Sequence, residues 1–290
     1  MTVLIETRAP WSTPWQAVAP HLRVIAFYGL LIALSAFYLM PVYMMVVNGM
    51  KSATEVSIAT MWHLPRSFGL GGFEEAWARL SSSFRNSLFI TITATILSCL
   101  VGSITGYVLS LWRFRGANLI SVLLIFGMFI PYQSIIVPLV FFTQKIGLYG
   151  SVWGLILVHM IYGQSVNALI FGNYYRSVPR SLIEAAKVDG AGVWKVYWKI
   201  ILPISPPAFV VAAIFQFTNI WNDFLFGVTI VPNPQAQPVT VALNNLAGNF
   251  SVDWNVVMAG AVIAALPTAI LYVVLGRYFV RGLVSGSVKS

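Results

Sequence analysis

The sequence predicts an all-α integral membrane protein with six transmembrane helices, and three observations lead to this fold class. First, 58% of the residues are hydrophobic, only 9% are charged and the mean hydropathy is +0.82, whereas soluble domains carry about 25% charged residues. Second, six separate apolar stretches reach the roughly 20 residues that a bilayer-crossing helix needs. Third, basic residues are concentrated in alternate segments between these stretches, which is how multi-span proteins are oriented.

The six stretches divide the chain into one membrane domain with two short ends. The first stretch is longer than the hydrophobic region of about 7–15 residues in a cleaved signal peptide, so we interpret it as a retained span. We expect an N-terminal segment at 1–23, a membrane domain at 24–276 and a C-terminal tail at 277–290. The predicted spans are 24–47, 88–111, 117–142, 151–171, 205–231 and 256–276.

The charges predict that both termini are cytoplasmic. With the N-terminus inside, 12 of the 17 Lys and Arg residues lie in cytoplasmic segments, as the positive-inside rule requires. The formal net charge of +9 therefore reflects orientation in the lipid bilayer, and we expect no nucleic-acid partner.

Some spans contain small or helix-breaking residues. Gly102 and Gly106 in the second span form a small-xxx-small pattern, which lets another helix approach closely. Pro131 and Pro138 in the third span, and Pro267 in the sixth, each remove a backbone donor and favour a kink.

The sequence excludes several kinds of chemistry. It contains no Gly-x-x-x-x-Gly-Lys-Ser/Thr phosphate loop, so ATP hydrolysis of that kind must occur on another chain. The single cysteine, Cys99, and the distant histidines His21, His63 and His159 offer no metal-binding spacing. We expect no catalytic residue, metal or cofactor on this chain, and we interpret His159 as a packing residue.

The cytoplasmic loop at 172–204 carries the most informative pattern. Ser181 and Glu184 form a capping box, which predicts a helix beginning at Ser181. Asp189 and Gly190 predict its end, with Gly190 in a left-handed C-cap. A second short helix is expected to follow, and Pro203 is expected to end the loop and lead into the fifth span. From the residues alone, this loop is either an amphipathic element on the lipid surface or a knob that fits a groove on a soluble partner.

The same loop resembles the "EAA" signature of permease subunits in binding-protein-dependent ABC importers. The resemblance implies the type I importer permease fold, and it implies that this loop is a coupling helix that docks into a cleft of the ATP-hydrolysing subunit. The resemblance extends over Ile201, Leu202 and Pro203. The residues assigned to ATPase coupling on this basis are Glu184, Ala185, Ala186, Asp189, Gly190 and Ala191.

The C-terminal tail narrows the resemblance to the carbohydrate permeases related to the MalG subunit of the maltose transporter. The chain departs from the usual tail of that family at Val284, Ser285, Ser287 and Ser290. The stretch at 238–245 resembles the glucose/mannose-type subgroup. The tail residues that the resemblance places at the ATPase interface are Gly282, Leu283, Gly286 and Lys289.

Asp223 is the only acid within a predicted span, and a buried carboxylate in lipid is a functional candidate by default. Its role stays open between pinning a neighbouring helix end, contacting a sugar and gating. Trp221, Asn222 and Asp223 are typical of the family that the chain resembles, and with Asn219 they are the candidate pathway residues. A carrier driven by an ion gradient usually needs several intramembrane charges and internal pseudo-symmetry, which the sequence lacks.

The outer loop at 232–255 is rich in asparagine, whose amide offers both donors and acceptors to sugar hydroxyls. Composition alone leaves a plain solvated loop equally open. The resemblance implies a scoop-like loop that enters the binding protein, with Asn244, Asn245 and Asn249 as its candidate residues.

Together, the resemblance implies one permease subunit of an ABC sugar importer in a bacterial or archaeal cytoplasmic membrane. Its expected partners are a homologous permease subunit, two subunits that bind ATP and Mg, and a periplasmic or extracellular sugar-binding protein. It would form half of the pathway and couple ATP hydrolysis to sugar uptake by alternating access. The alternative is an ion-gradient-driven secondary carrier.

Overall fold

The computed structural model describes residues 14–112, 114–248 and 252–285, and every regular element in these ranges is helical. A 3₁₀ turn at Tyr132–Ile135 precedes α4, and a π turn at Tyr197–Ile201 joins α8 to α9. The α-helices are α1 (Pro14–Gly49), α2 (Gly71–Leu111), α3 (Ala117–Met128), α4 (Ile136–Lys145), α5 (Val152–Tyr162), α6 (Gln164–Arg176), α7 (Arg180–Val188), α8 (Val193–Val196), α9 (Leu202–Ile204), α10 (Pro206–Trp221), α11 (Leu225–Ile230), α12 (Val239–Ala247) and α13 (Trp254–Ser285).

Within the described residues, three helices are long and apolar enough to cross a membrane by themselves. They contain the segments Arg23–Gly49, Gly71–Leu111 and Trp254–Gly276. Helix α2 has 41 residues, or about 60 Å at 1.5 Å per residue, so it extends well beyond a hydrocarbon core of about 30 Å. It begins 17 residues before the predicted second span, and α1 likewise begins ten residues before the predicted first span.

Three further candidate spans are pairs of helices that meet at a bend, so six crossings require each pair to count as one span. The bends are 98° between α3 and the segment Tyr132–Lys145, 44° between α5 and α6, and 78° between the segment Val193–Ile204 and α10. Pro131 lies in the first break, where a kink was predicted. Pro138 instead falls in the first turn of α4, where backbone N–H groups lack an intrahelical partner.

One prediction about helix continuity is wrong. The fifth span was expected to run as one stretch over 205–231, but α10 ends at Trp221 and α11 begins at Leu225. Asn222 and Asp223, between the two helices, bond to their ends. Pro267 lies inside α13, which continues through it.

Helix α2 is the centre of the fold and packs against α5, α6, α10, α12 and α13. Its closest neighbour is α6, and the small-xxx-small pattern lies at that contact. A side chain at Gly102 would overlap Asn167, and a Cβ at Gly106 would lie 2.8 Å from the backbone nitrogen of Gly172. The predicted close helix approach is confirmed.

The outer surface of the helices is apolar and exposed. Phe37 and Tyr38 on α1, and Phe126 and Phe129 beside α3, are each at least 66% exposed. Apolar exposure on this scale, along whole helices, suits lipid or neighbouring membrane helices as the surroundings.

Candidate functional site

The first helix of the loop that is predicted to be cytoplasmic, α7, packs one face inward and leaves the other exposed. Ile183 and Ala186 are buried in the cluster that also contains the cytoplasmic ends of α2 and α6, while Glu184 and Ala185 are exposed. The predicted capping box is wrong: α7 begins at Arg180 with Pro179 at the N-cap, and no side chain caps it.

The C-terminus of α7 is closed by a Schellman motif around Gly190, as the left-handed C-cap prediction required. Gly190 has a φ of +76°, and its N–H donates to Lys187 O at 3.0 Å. The N–H of Ala191 donates to Ala186 O at 2.9 Å. These are the two reverse bonds of the motif, and the accompanying apolar contact explains why both Ala186 and Ala191 pack on the same cluster.

The chain after Gly190 forms the second helical element that was expected, built from three pieces. Helix α8 leads through a π turn into α9, which ends at Ile204, one residue after Pro203. Pro203 has no N–H for the carbonyl of Lys199, and the wider π turn accommodates this missing donor. The direction of the chain then changes by 78° at Ser205, where α10 begins.

Four hydroxyl groups in the protein interior tie this loop to the membrane helices. Ser103 Oγ of α2 lies 2.6 Å from Tyr175 Oη of α6 and 3.0 Å from Tyr197 Oη of the π turn. Ser205 Oγ lies 3.0 Å from Tyr175 Oη and donates to Ile201 O at 2.5 Å. All four side chains have no solvent exposure, so each bond is made in a medium of low dielectric constant.

Two further contacts join the loop to the end of α2. Tyr107 Oη donates to Val193 O at 2.8 Å, and Lys187 Nζ lies 4.3 Å from the ring centroid of Trp112, within the range of a cation–π interaction. The sequence analysis did not anticipate the hydroxyl cluster or these contacts. The sequence does show Ser103 and the tyrosines as polar groups among apolar residues. It does not show which of these groups bond to one another.

The outward side of the loop carries an apolar surface. Leu182, Val188, Trp194 and Trp198 are exposed by 43%, 88%, 58% and 53%, next to the exposed acids Glu184 and Asp189. A surface of this kind calls for a covering partner or lipid.

The second feature is the break between α10 and α11, which Asp223 organises. Its carboxylate accepts hydrogen bonds from Phe226 N at 3.4 Å and Gly227 N at 3.1 Å, so it caps the N-terminus of α11. Of the three roles left open for Asp223, these bonds correspond to the pinning of a helix end. Its carbonyl oxygen accepts a 2.6 Å bond from Thr240 Oγ1, which attaches the outer helix α12 to the same break.

A cavity of about 610 Å³ opens beside this break. Three of the four candidate pathway residues line it: Asn219, Asn222 and Asp223. His159 lines it too, with Nε2 3.7 Å from Asp223 Oδ2. Trp221 lies elsewhere: it is buried, and its Nε1 donates to Ala264 O of α13 at 2.9 Å.

The remaining predicted residues lie at the two ends of the molecule. Asn244 and Asn245 are exposed on α12, and Asn245 Nδ2 donates to Gln237 Oε1 at 3.0 Å. In the tail, Gly282 and Leu283 belong to the last turns of α13. Asn249, Gly286 and Lys289 lie outside the described residues.

The sequence of this chain matches one protein family. The family described as "Binding-protein-dependent transport system inner membrane component" matches residues 80–285. A probable ABC transporter permease protein of Pyrococcus horikoshii is 45% identical over 265 residues, covering 90% of this chain and 96% of the relative. A xylose/arabinose import permease protein of Haloferax volcanii is 36% identical over 286 residues, covering 91% and 93%.

The fold matches that of a solved membrane transporter. A chain from a bacterial ABC transporter that imports the acidic polysaccharide alginate superposes with a TM-score of 0.77 at 22% identity. The superposition covers 93% of this chain and all of the other.

Proposed function

The chain belongs to the family of binding-protein-dependent transport system inner membrane components, and from this membership we propose that it forms half of the translocation pathway of an ATP-driven sugar importer. As a permease subunit of an ABC transporter it is not an enzyme, and the ATPase activity resides in partner subunits. The named sugar relative from Haloferax volcanii supports a sugar as the substrate.

The coupling role rests on the rigid attachment of the cytoplasmic loop. Glu184, Ala185 and Asp189 are presented outward on a helix with a closed C-terminus. Behind them, Tyr197 and Ser205 are bonded to α2 and α6 through buried hydroxyls. A partner that pushes on the exposed side therefore moves the core of the subunit rather than bending a loose loop.

The same loop leads directly to the cavity. Helix α9 meets α10 at the 78° bend, and α10 ends at the Asp223 break that lines the cavity. We infer that closure of the two ATP-binding subunits, with ATP and Mg between them, displaces the loop as a lever. That displacement would switch the pathway between inward-facing and outward-facing states.

The proposed assembly contains a second, homologous permease subunit, two ATP-binding subunits and a periplasmic or extracellular sugar-binding protein. The family description itself supports dependence on a binding protein. The exposed apolar faces of α1 and α3 are available to lipid and to the second permease subunit. We place the complex in a bacterial or archaeal cytoplasmic membrane with both termini of this chain in the cytoplasm, the outer loop with Asn244 and Asn245 toward the binding protein, and the tail toward the ATPase subunits.

The test of coupling uses Gly190, because a substitution there changes only the strain in the backbone angle φ and causes no steric overlap. A Cβ at Gly190 meets no atom within 4 Å, so a side chain there is strained by the positive φ alone. For Gly190→Val we expect sugar-loaded binding protein to stimulate the ATPase of the purified complex in nanodiscs about tenfold less, because a β-branched residue in this conformation costs about 1–3 kcal/mol.

Gly192→Ala is the matched control. Gly192 lies two residues away with a φ of −73°, and its Cβ position is equally open. We expect its ATPase stimulation and uptake to stay within about twofold of the native protein. Equal behaviour of both variants would remove the coupling role from this loop, and uptake that follows an ion gradient without ATP would favour the secondary carrier.

A further inference from the structure

We propose that this chain carries its own binding subsite for a small neutral sugar, in the cavity at the break between α10 and α11. The inference rests on the proposed function, which makes the chain part of a sugar pathway, and adds that this subunit contacts the sugar. The cavity volume of about 610 Å³ falls within the range of about 300–1,000 Å³ typical of small-molecule sites.

Several polar groups around the cavity have hydrogen-bonding capacity to spare. The amide of Asn219 and the hydroxyls of Tyr132 and Tyr162 line it. No protein group among the described residues bonds these three side chains, and Asn219 and Tyr162 are exposed, so water is what a sugar would displace from them. Asn222, by contrast, already donates to Thr218 O. Unused donors and acceptors that converge on one space are what the hydroxyl groups of a sugar require.

The aromatic rings of the cavity supply an apolar wall. Tyr132, Tyr162 and Phe226 form a three-ring cluster, with centroid separations of 5.8, 5.1 and 5.7 Å. A sugar ring has apolar C–H faces and a polar edge. It can place a face against this wall while its hydroxyls reach Asn219 and Asp223.

The charges of the cavity favour a neutral ligand over an anionic one. Asp223 contributes a carboxylate whose side chain is only 10% exposed, and neither lysine nor arginine is among the lining residues. Each carboxylate oxygen holds one backbone N–H, which leaves lone pairs free for hydroxyl donors. A sugar acid would bring a second negative charge into a partly desolvated space, which is unfavourable.

The position of the cavity suits a transport pathway. His159 lies eight residues after Ser151, or about 12 Å along α5 from its outer end. If the end of α5 at Ser151 lies at the outer membrane surface, as the proposed orientation requires, the cavity would lie well inside a hydrocarbon core of about 30 Å. The cavity is not fully enclosed, so a substrate could enter and leave it.

The first test is direct binding to the complete complex in nanodiscs, without binding protein or ATP. Saturation-transfer NMR with glucose, xylose, arabinose, maltose and glucuronate as probes should detect at least one neutral sugar and no glucuronate. Asn219→Ala should weaken that signal about tenfold, as expected for the loss of one hydrogen bond to the sugar. Asn118→Ala, an exposed asparagine on α3, is the matched control and should keep the native signal.

The second test separates this inference from the proposed function. In proteoliposomes, Asn219→Ala should take up about tenfold less sugar per ATP hydrolysed than Asn118→Ala. Native binding and uptake in Asn219→Ala would overturn the subsite while leaving ATP-driven import in place. A glucuronate signal equal to that of the neutral sugars would also overturn it. Equal behaviour of the Gly190 and Gly192 variants would remove the coupling role from the loop, and uptake without ATP would overturn the proposed function, whereas the NMR result does not depend on ATP.

Discussion

The cytoplasmic end of the subunit and the α10–α11 break differ in whether their polar side chains bond to one another. In the cytoplasmic region, Ser103, Tyr175, Tyr197 and Ser205 satisfy one another without any exposure to solvent. Around the break, Asn219 and two tyrosine hydroxyls face an open cavity without a hydrogen-bond partner among the described residues. The first region can transmit force, and the second can exchange ligands.

The two regions also differ in how closely their backbones approach. At the contact of α2 and α6, Gly106 leaves no room for a methyl group, and the helices form one rigid unit. At the break, α10 stops after Trp221 and the next helix, α11, has only six residues. Stability should therefore fall steeply with small changes at the cytoplasmic end and less so at the break, and three substitutions test this gradient.

Gly106→Ala should have the largest effect on stability. A Cβ there would lie 2.8 Å from Gly172 N and 3.0 Å from Ala168 O, and backbone atoms of a packed helix cannot rotate away. We expect the free energy of unfolding in detergent to fall by about 3 kcal/mol, the upper end of the range for overpacked cores.

Gly29→Ala is the control for that substitution. Gly29 lies on α1, where an added Cβ meets nothing within 4 Å, and alanine is the better helix former by about 1 kcal/mol. This variant should be as stable as the native chain or more so. If both variants behaved alike, the close approach of α2 and α6 would contribute nothing to stability.

Tyr175→Phe should have the next largest effect, because it removes the hydroxyl that joins Ser103 to Ser205 while keeping the ring. We expect a loss of about 2 kcal/mol, since two buried groups each lose a partner. Tyr149→Phe is the control, because that residue is 36% exposed and its loss should fall within about 0.5 kcal/mol. A loss of the same size in both would show that the buried hydroxyls do not hold the cytoplasmic end together.

The sequence predicted well what depends on local chemistry. Apolar length marked the three helices that can cross a membrane alone and the three bent helix pairs that can each count as one span. The turn at Gly190 followed from Asp-Gly alone, because only glycine readily takes a φ of +76°. The small-xxx-small pattern correctly indicated a close helix contact. Even the bonding of Asp223 to a helix end followed from the cost of an isolated carboxylate in lipid.

The features that the sequence did not predict depend on contacts between residues that are distant in the chain or on the detailed course of the backbone. The sequence did not reveal the break after Trp221. Asn222, Asp223 and Phe224 lie within a long apolar run, and the average hydropathy of that run is high enough to predict a single span. Trp221 looked like a pathway residue, but its ring packs between Phe84 and Phe217. The pairing of Ser103 with Tyr175 joins residues 72 positions apart, and no local pattern could have revealed it. The capping box failed because Pro179 already sets the backbone for a helix beginning one residue earlier.

Thr240→Val should have the smallest effect of the three, and it tests how firmly the outer helix α12 is attached to the break. The substitution keeps the shape of the side chain and removes the 2.6 Å bond to Asp223 O, which we expect to cost about 1 kcal/mol. Thr229→Val on α11 is the control, because Thr229 Oγ1 bonds only to carbonyls of its own helix or turn. Chemical denaturation of both variants in detergent measures the difference. A loss for Thr240→Val as large as that for Tyr175→Phe would contradict the gradient, since the outer helix and the break would then be held as rigidly as the cytoplasmic end. A smaller loss leaves α12 free to shift with the break when a ligand enters the cavity.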